Sequence, residues 1–260
     1  MEEAIIIEKS IIIVAVFAIT MLFAMYCTLA ERKIAAWIQD RRGPNRAGPG
    51  GVFQPLADGL KLFAKEEFMP NTPNTFLFVL GPFISMTMAL MTSAVIPWGK
   101  TLEIGGRKVI LQAADINVAM LYVFAVLSVS VYGIMIGGWA SNNKYSLLSA
   151  MRVALQMISY EIAMGLSIVA ILMMHSSMSL SDIAAGQHEM NWNIFYQPLG
   201  FFIFLICSFA ETNRTPFDLA ECEQELIGGY HTEYSSMRMG FFLFAEYAAM
   251  FISSTLLAVL

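Results

Sequence analysis

The chain has 260 residues, 57% of them hydrophobic and only 13% charged, with a formal net charge of −5. A water-soluble domain of this length needs more polar surface than that to cover its core, so the composition points to a membrane as solvent. It excludes a basic nucleic-acid footprint, and the scattered Cys27, Cys207 and Cys222 exclude a disulfide framework or a zinc site, which need closely spaced ligands.

The N-terminus, Met1-Glu2-Glu3, lacks the basic stretch of a secretory signal, so the first apolar segment is expected to be retained. Six stretches are long enough to cross a hydrocarbon core about 30 Å thick, which takes roughly 20 residues of helix. They run from Ser10 to Ala30, Thr75 to Pro97, Ile116 to Trp139, Val153 to His175, Asn193 to Ala210 and Met239 to Leu260. None alternates as a barrel strand would, so the expected fold is an all-α polytopic transmembrane helix bundle forming one membrane domain. Neither solenoid repeats nor an inverted repeat is visible.

Positive charge is uneven across the connections. Eleven of the Lys and Arg residues fall in the first, third and fifth: Arg32, Lys33, Arg41, Arg42, Arg46, Lys61, Lys65, Lys144, Arg152, Arg214 and Arg238. The remaining tail and connections hold only Lys9, Lys100, Arg107 and Lys108. The positive-inside bias therefore predicts both ends of the chain outside and these three loops inside. The first inside loop, residues 31–74, has a Gly/Pro-rich run from Gly43 to Gly51. A segment of helical rhythm follows from Phe53 to Phe68, with Phe53, Leu56, Ala57, Leu60, Phe63 and Ala64 on one face. Asp58, Lys61 and Lys65 fall on the other, the pattern of a helix lying in the membrane interface.

Two carboxylates interrupt the spans. At about 1.5 Å per residue, Glu161 lies about 13 Å along its helix from Arg152, and Glu246 about 12 Å from Arg238. Glu211 ends the fifth span. An ionisable group at such depth is costly unless it faces a polar interior, so the three, staggered between inner loops and midplane, suggest a proton path. The alternative for each is a hydrogen-bonding plug between helices. The fifth connection, residues 211–238, is acidic, with Asp218, Glu221, Glu223, Glu225 and Glu233 interleaved with Pro216, Phe217, Leu219, Leu226 and Ile227. That mixture suits a loop folded against something rather than a merely solvated face.

Enzymatic templates are missing. Gly43 to Gly51 lacks the Lys and Ser/Thr of a phosphate-binding loop, and His175, His188 and His231 stand without a nucleophile at motif spacing. Redox chemistry by this chain alone is not expected.

Several segments resemble one family. ERK at Glu31 to Lys33, RRGPNRAGP at Arg41 to Pro49, QPLADGLKLFAKE at Gln54 to Glu66, SYE at Ser159 to Glu161 and AETNRTPFDLAE at Ala210 to Glu221 look like the H-type subunits of NADH-quinone oxidoreductase. These are the ND-one type subunits of respiratory complex I. The resemblance implies a subunit joining the membrane arm to the peripheral arm and forming much of a quinone chamber. It implies that Arg32, Arg41, Arg46, Asp58 and Lys65 shape the chamber mouth. Phe217, Asp218, Glu221, Glu223 and Glu225 would line its inner loop, and Glu161, Glu211 and Glu246 would begin a chain of carboxylates into the membrane. NADH, FMN and the iron-sulfur clusters would sit on partner subunits, with quinone as the substrate met here and a bacterial inner membrane, or alternatively the mitochondrial inner membrane, as the location. The sequence departs from the family in having Cys222 where Gly is expected, and in six spans where eight are usual, so further C-terminal spans are expected beyond Leu260. Membrane-bound hydrogenases contain a related subunit with a looser version of the same motifs, and an ion-coupled secondary transporter would also place carboxylates at mid-membrane.

Overall fold

The computed structural model describes residues 2–70, 74–99, 101–104, 107–188, 191–218 and 227–260. Helix α1 spans Glu2–Ile38. It runs two turns past the expected inner edge at Ala30, because Glu31 to Ile38 contains neither Gly nor Pro. It ends at Asp40, in the left-handed region at φ 50, where the N–H of Arg41 reaches back to the carbonyl of Ala36 at 2.8 Å, the closure of a Schellman motif. Its 37 residues reach about 55 Å, well beyond the hydrocarbon thickness, so the helix can cross a bilayer with several turns to spare.

A turn follows that only glycine fits. Gly51 has φ 82, and a Cβ there would fall 2.1 Å from the Pro44 carbonyl oxygen. The amphipathic segment then forms α2, Gln54–Ala64, with Pro55 in its first turn, where a missing N–H costs nothing. Phe53, Leu56, Leu60 and Phe63 are exposed along its outer side.

Helix α3 is Thr75–Ser93, capped by the Asn74 side chain, which accepts from the Leu77 N–H at 3.4 Å. A two-stranded antiparallel hairpin follows, β1 Thr101–Ile104 and β2 Arg107–Ile110, with Thr101 opposite Ile110. These strands are the described exception to the expected all-α fold. Helix α4, Ala119–Ala140, packs closely on α3. A Cβ on Gly81 would lie 2.8 Å from the Gly137 Cα, and one on Gly133 would lie 2.4 Å from the Ser85 hydroxyl. Small residues on both helices thus let the two backbones approach, the usual device where lipid supplies no hydrophobic drive between helices.

Helix α5, Lys144–His175, starts more than two turns before the expected Val153, with Asn143 accepting from the Tyr145 N–H at 2.9 Å. The short α6, Leu180–Gly186, leads towards the fifth predicted span, which is not one helix. One turn, α7 (Asn193–Tyr196), stops at Gln197, and α8 (Pro198–Glu211) begins at the next residue. Pro198 lacks an N–H and pushes Gln197 out of helical geometry, to φ −130 and ψ 58. With 14 residues, or about 21 Å, α8 is shorter than the other spans. Helix α9, Ser236–Val259, closes the bundle. Five described helices, α1, α3, α4, α5 and α9, are long and apolar enough to cross a membrane, against the six spans expected; α8 is apolar but falls short of that length.

In the bundle α9 lies between α1 and α3, α3 packs on α4, α4 on α5, and α5 on α8. One buried cluster joins Met120, Val123, Ile168, Phe204 and Ile252. A second gathers Phe78, Val153, Tyr230, Tyr234 and Phe242 beneath the loop ends. There the Tyr234 ring stacks on Phe78 at 4.1 Å and its hydroxyl donates to the Phe78 carbonyl at 3.0 Å, with burial holding the phenol above its ordinary pKa.

Candidate functional site

The polar face of α2 borders a cavity while its lysines stay exposed. Asp58, Lys61 and Lys65 turn towards α1 and α9 and line a cavity of about 350 Å³, with Arg32 and Thr28 from α1 and Tyr247 and Phe244 from α9. Across its α1 side the Arg32 guanidinium donates to Asp58 Oδ2 at 2.6 Å, and Gln54 holds the other oxygen of Asp58 at 3.1 Å. On the α9 side the end of α2 is fastened more firmly. The Ser236 hydroxyl lies 2.9 Å from both the Leu62 and Lys65 carbonyls, the Phe68 N–H donates to the Ser235 hydroxyl, and Arg238 pairs with Glu67 at 3.0 Å. Three of the residues expected at a cavity mouth, Arg32, Asp58 and Lys65, are therefore brought together. Arg41 and Arg46 are not: both are exposed on the turn after α1, Arg41 donating to Gln39 at 2.6 Å.

The cavity is separated from the bundle interior by a charged cluster. Tyr247 lines the cavity, and its hydroxyl donates to Glu31 Oε2 at 2.7 Å. Arg214 lies 3.3 Å from that same oxygen and 3.3 Å from Glu246 Oε1, with its guanidinium 4.4 Å from the centre of the Tyr247 ring. One cation thus bridges a carboxylate two turns before the end of α1 and one inside α9. Sequence reasoning places Glu246 in the path but does not select Glu31, Arg214 or Tyr247. The signal is present: Glu31 and Arg214 stand inside the ERK and ETNR motifs, and Tyr247 adjoins Glu246.

Beyond Arg214 two small cavities, of about 50 and 30 Å³, adjoin Glu211. The larger is also lined by Glu246, Ser85, Ser130 and Asn213, the smaller by Thr92, Ser208 and Ser253. A water needs about 10–15 Å³ of such space and polar partners; the larger cavity offers both, whereas the walls of the smaller are apolar. Glu211 is 6% exposed, and its Oε2 has no hydrogen-bond partner among the described residues. The third carboxylate, Glu161 on α5, accepts a hydrogen bond from the Ser128 hydroxyl on α4 and is near enough to act electrostatically on Glu211. Glu246, Glu211 and Glu161 therefore succeed one another across the bundle, with hydroxyl groups and small cavities among them.

In the loop after α8, Phe217 meets Tyr160 of α5 edge to face at 5.2 Å. Asp218 is half-buried. Desolvation raises its carboxyl pKa above the ordinary value, and the nearby Arg214 opposes that rise. The expected site residues Glu221, Glu223 and Glu225, with Cys222, lie outside the described residues. Among the described residues no group of His, Cys, Asp and Glu is arranged to hold a metal ion.

Comparison with known proteins agrees with this architecture. The chain is similar to the NADH-quinone oxidoreductase H subunit of Flavobacterium johnsoniae, with 73% identity over the whole chain and 74% of that protein's length. It is 63% identical to an H subunit of the same enzyme from Cytophaga hutchinsonii, over 96% of this chain and 73% of that protein. The H subunit of Leptospira biflexa is 50% identical over the whole chain and 76% of that protein. The sequence model of NADH dehydrogenase matches residues 11–260, and with so much of a helical membrane bundle accounted for, the chain belongs to the NADH dehydrogenase family.

Proposed function

We propose that this chain is an integral inner-membrane subunit of a proton-pumping NADH-quinone oxidoreductase, and that the cavity between α1, α2 and α9 admits quinone from the bilayer. The observation that carries the reading is the placement of Tyr247 and Glu246. One faces the cavity, its neighbour faces the interior, and Arg214 contacts both. A change of charge or occupancy in the cavity thereby has a short route to the inner carboxylates. In this reading Arg32, Asp58 and Lys65 shape the mouth and Arg41 and Arg46 face the peripheral arm. Phe217, Asp218, Glu221, Glu223 and Glu225 face the quinone headgroup region, and Glu246, Glu211 and Glu161 relay protons.

The chemistry of each part fits its task. An amphipathic cavity suits a molecule with an apolar tail and a polar head. Apolar side chains on the outer side of α2 let that helix lie at the membrane surface, so a lipid-dissolved substrate meets the cavity without crossing water. Carboxylates in a low-dielectric interior exchange protons when a neighbouring charge changes. The redox groups, flavin and iron-sulfur clusters, belong to partner subunits, with NADH oxidised there. Both ends of the chain lie on the outer side and the 39–53 and 212–235 connections on the inner side, as the Lys and Arg distribution favours.

The direct test is purification in mild detergent. Recovery with flavin- and iron-sulfur-bearing subunits and inhibitor-sensitive quinone reduction supports the reading. Recovery as a free, transport-competent monomer overturns it.

A further inference from the structure

We infer that Gln156 is a positioning residue that sets the 210–217 segment in register with α5, and that quinone affinity depends on its amide. Gln156 lies on α5 five residues before Glu161, about 7.5 Å along the axis. Its Nε2 is 3.0 Å from the Ala210 carbonyl, 3.2 Å from Asn213 Oδ1 and 3.0 Å from the Phe217 carbonyl. All three are acceptors, so the amide presents its nitrogen to them, and its two hydrogens serve three oxygens from three places in one segment.

The backbone between those points is tightly coiled. The Arg214 N–H bonds to the Phe209 carbonyl at 3.1 Å, the Phe217 N–H to the Arg214 carbonyl at 2.8 Å, and Asn213 sits in the left-handed region at φ 47. Residues 210, 213 and 217 are thus gathered around a single side chain from another helix. One turn further along α5, Tyr160 meets the Phe217 ring, so the same face of α5 holds the segment twice. The later part of the connection is fastened to α5 and its cap as well. The Ser146 hydroxyl donates to the Tyr230 carbonyl at 2.7 Å, and Asn143 Nδ2 donates to Glu233 at 2.7 Å. Helix α5 therefore fixes both ends of the connection, and Gln156 fixes the end that carries Arg214, Phe217 and Asp218.

This inference rests on the proposed function, because it assigns to Gln156 the placement of Phe217 and Asp218 against quinone. Gln156→Met keeps the side chain's length and removes both donors. Gln156→Asn keeps the amide but withdraws it by one methylene. Each is to be assayed in the assembled complex with a short-chain quinone, alongside electron transfer from NADH to ferricyanide, which reports the peripheral arm alone. The expected result is a three- to tenfold rise in quinone KM, with kcat and ferricyanide activity within twofold of the parent. A quinone KM within twofold in an assembled variant overturns the inference. Failure of both variants to assemble also overturns it, since Gln156 is then a folding residue. If the parent complex itself lacks inhibitor-sensitive quinone reduction, the proposed function fails instead, which keeps the two outcomes apart.

Discussion

Arg214, from the loop after α8, stands 3.3 Å from Glu246 in the interior of α9, and the same guanidinium reaches Glu31 in the last third of α1. Glu246 is 13% exposed and Arg214 21%, so the pair is largely withdrawn from water. Breaking such a pair by removing one partner costs about 3–5 kcal/mol, because it strands the other charge. Arg214→Met is expected to lower the yield of assembled complex and to reduce quinone reduction in membranes at least tenfold. Arg214→Lys should recover only part of both, since an ammonium lacks the planar fork that spans two carboxylates.

The Arg32–Asp58 pair at the cavity mouth behaves differently. With 54% and 36% exposure, its worth to stability is only about 0.2–1 kcal/mol. Arg32→Gln should leave the melting temperature in detergent within about 2 °C of the parent. The same substitution should change quinone KM, and equal quinone KM would remove Arg32 from the mouth.

The contact between α3 and α4 predicts a contrast between two glycines. A Cβ at Gly81 meets backbone atoms of Gly137 and Gly133 at 2.8 and 3.0 Å, which do not move aside cheaply. Gly81→Ala is expected to destabilise by about 1–3 kcal/mol. At Gly59, inside α2, a Cβ meets nothing within 4 Å, so Gly59→Ala should stabilise by about 0.5–1 kcal/mol through helix propensity. Thermal unfolding of the two variants in one detergent checks both signs.

His231, in the 3₁₀ turn Gly229–His231, has its pKa lowered by burial. The folded state therefore favours neutral imidazole. Its contribution to stability is present above the ordinary histidine value, about 6.5, and is lost as pH falls through the lower folded value. The hydrogen-exchange protection of residues 227–235, taken relative to the intrinsic rate at each pH, should fall on acidification from pH 7 to pH 5, and His231→Gln should flatten that response.

The sequence carried much of this, and for a physical reason. Helix rise is constant, so the positions of Glu161, Glu211 and Glu246 along their helices follow from counting residues, and the helical spacing of Phe53, Leu56, Leu60 and Phe63 announces α2. What counting does not provide is azimuth. That Arg214 meets Glu31, 183 residues away, depends on α1 lying against α9, which no local pattern encodes. The same holds for Gln156 and the three acceptors at and beyond the end of α8. The break at Gln197 was legible from Pro198, but its apolar surroundings read as one span. The extension of α1 to Ile38 was hidden because charge, which marks the edge of the membrane, does not end a helix.

The relay reading is tested most directly at Glu161. In inverted membrane vesicles, proton uptake measured against NADH oxidised, with Glu161→Gln beside the parent complex, reads coupling separately from electron flow. The expected result is a fall in protons moved per NADH, with the complex assembled and the Ser128 hydroxyl still able to donate to the glutamine carbonyl. An unchanged ratio at normal turnover would contradict the placement of Glu161 in the route from the cavity to the centre of the membrane.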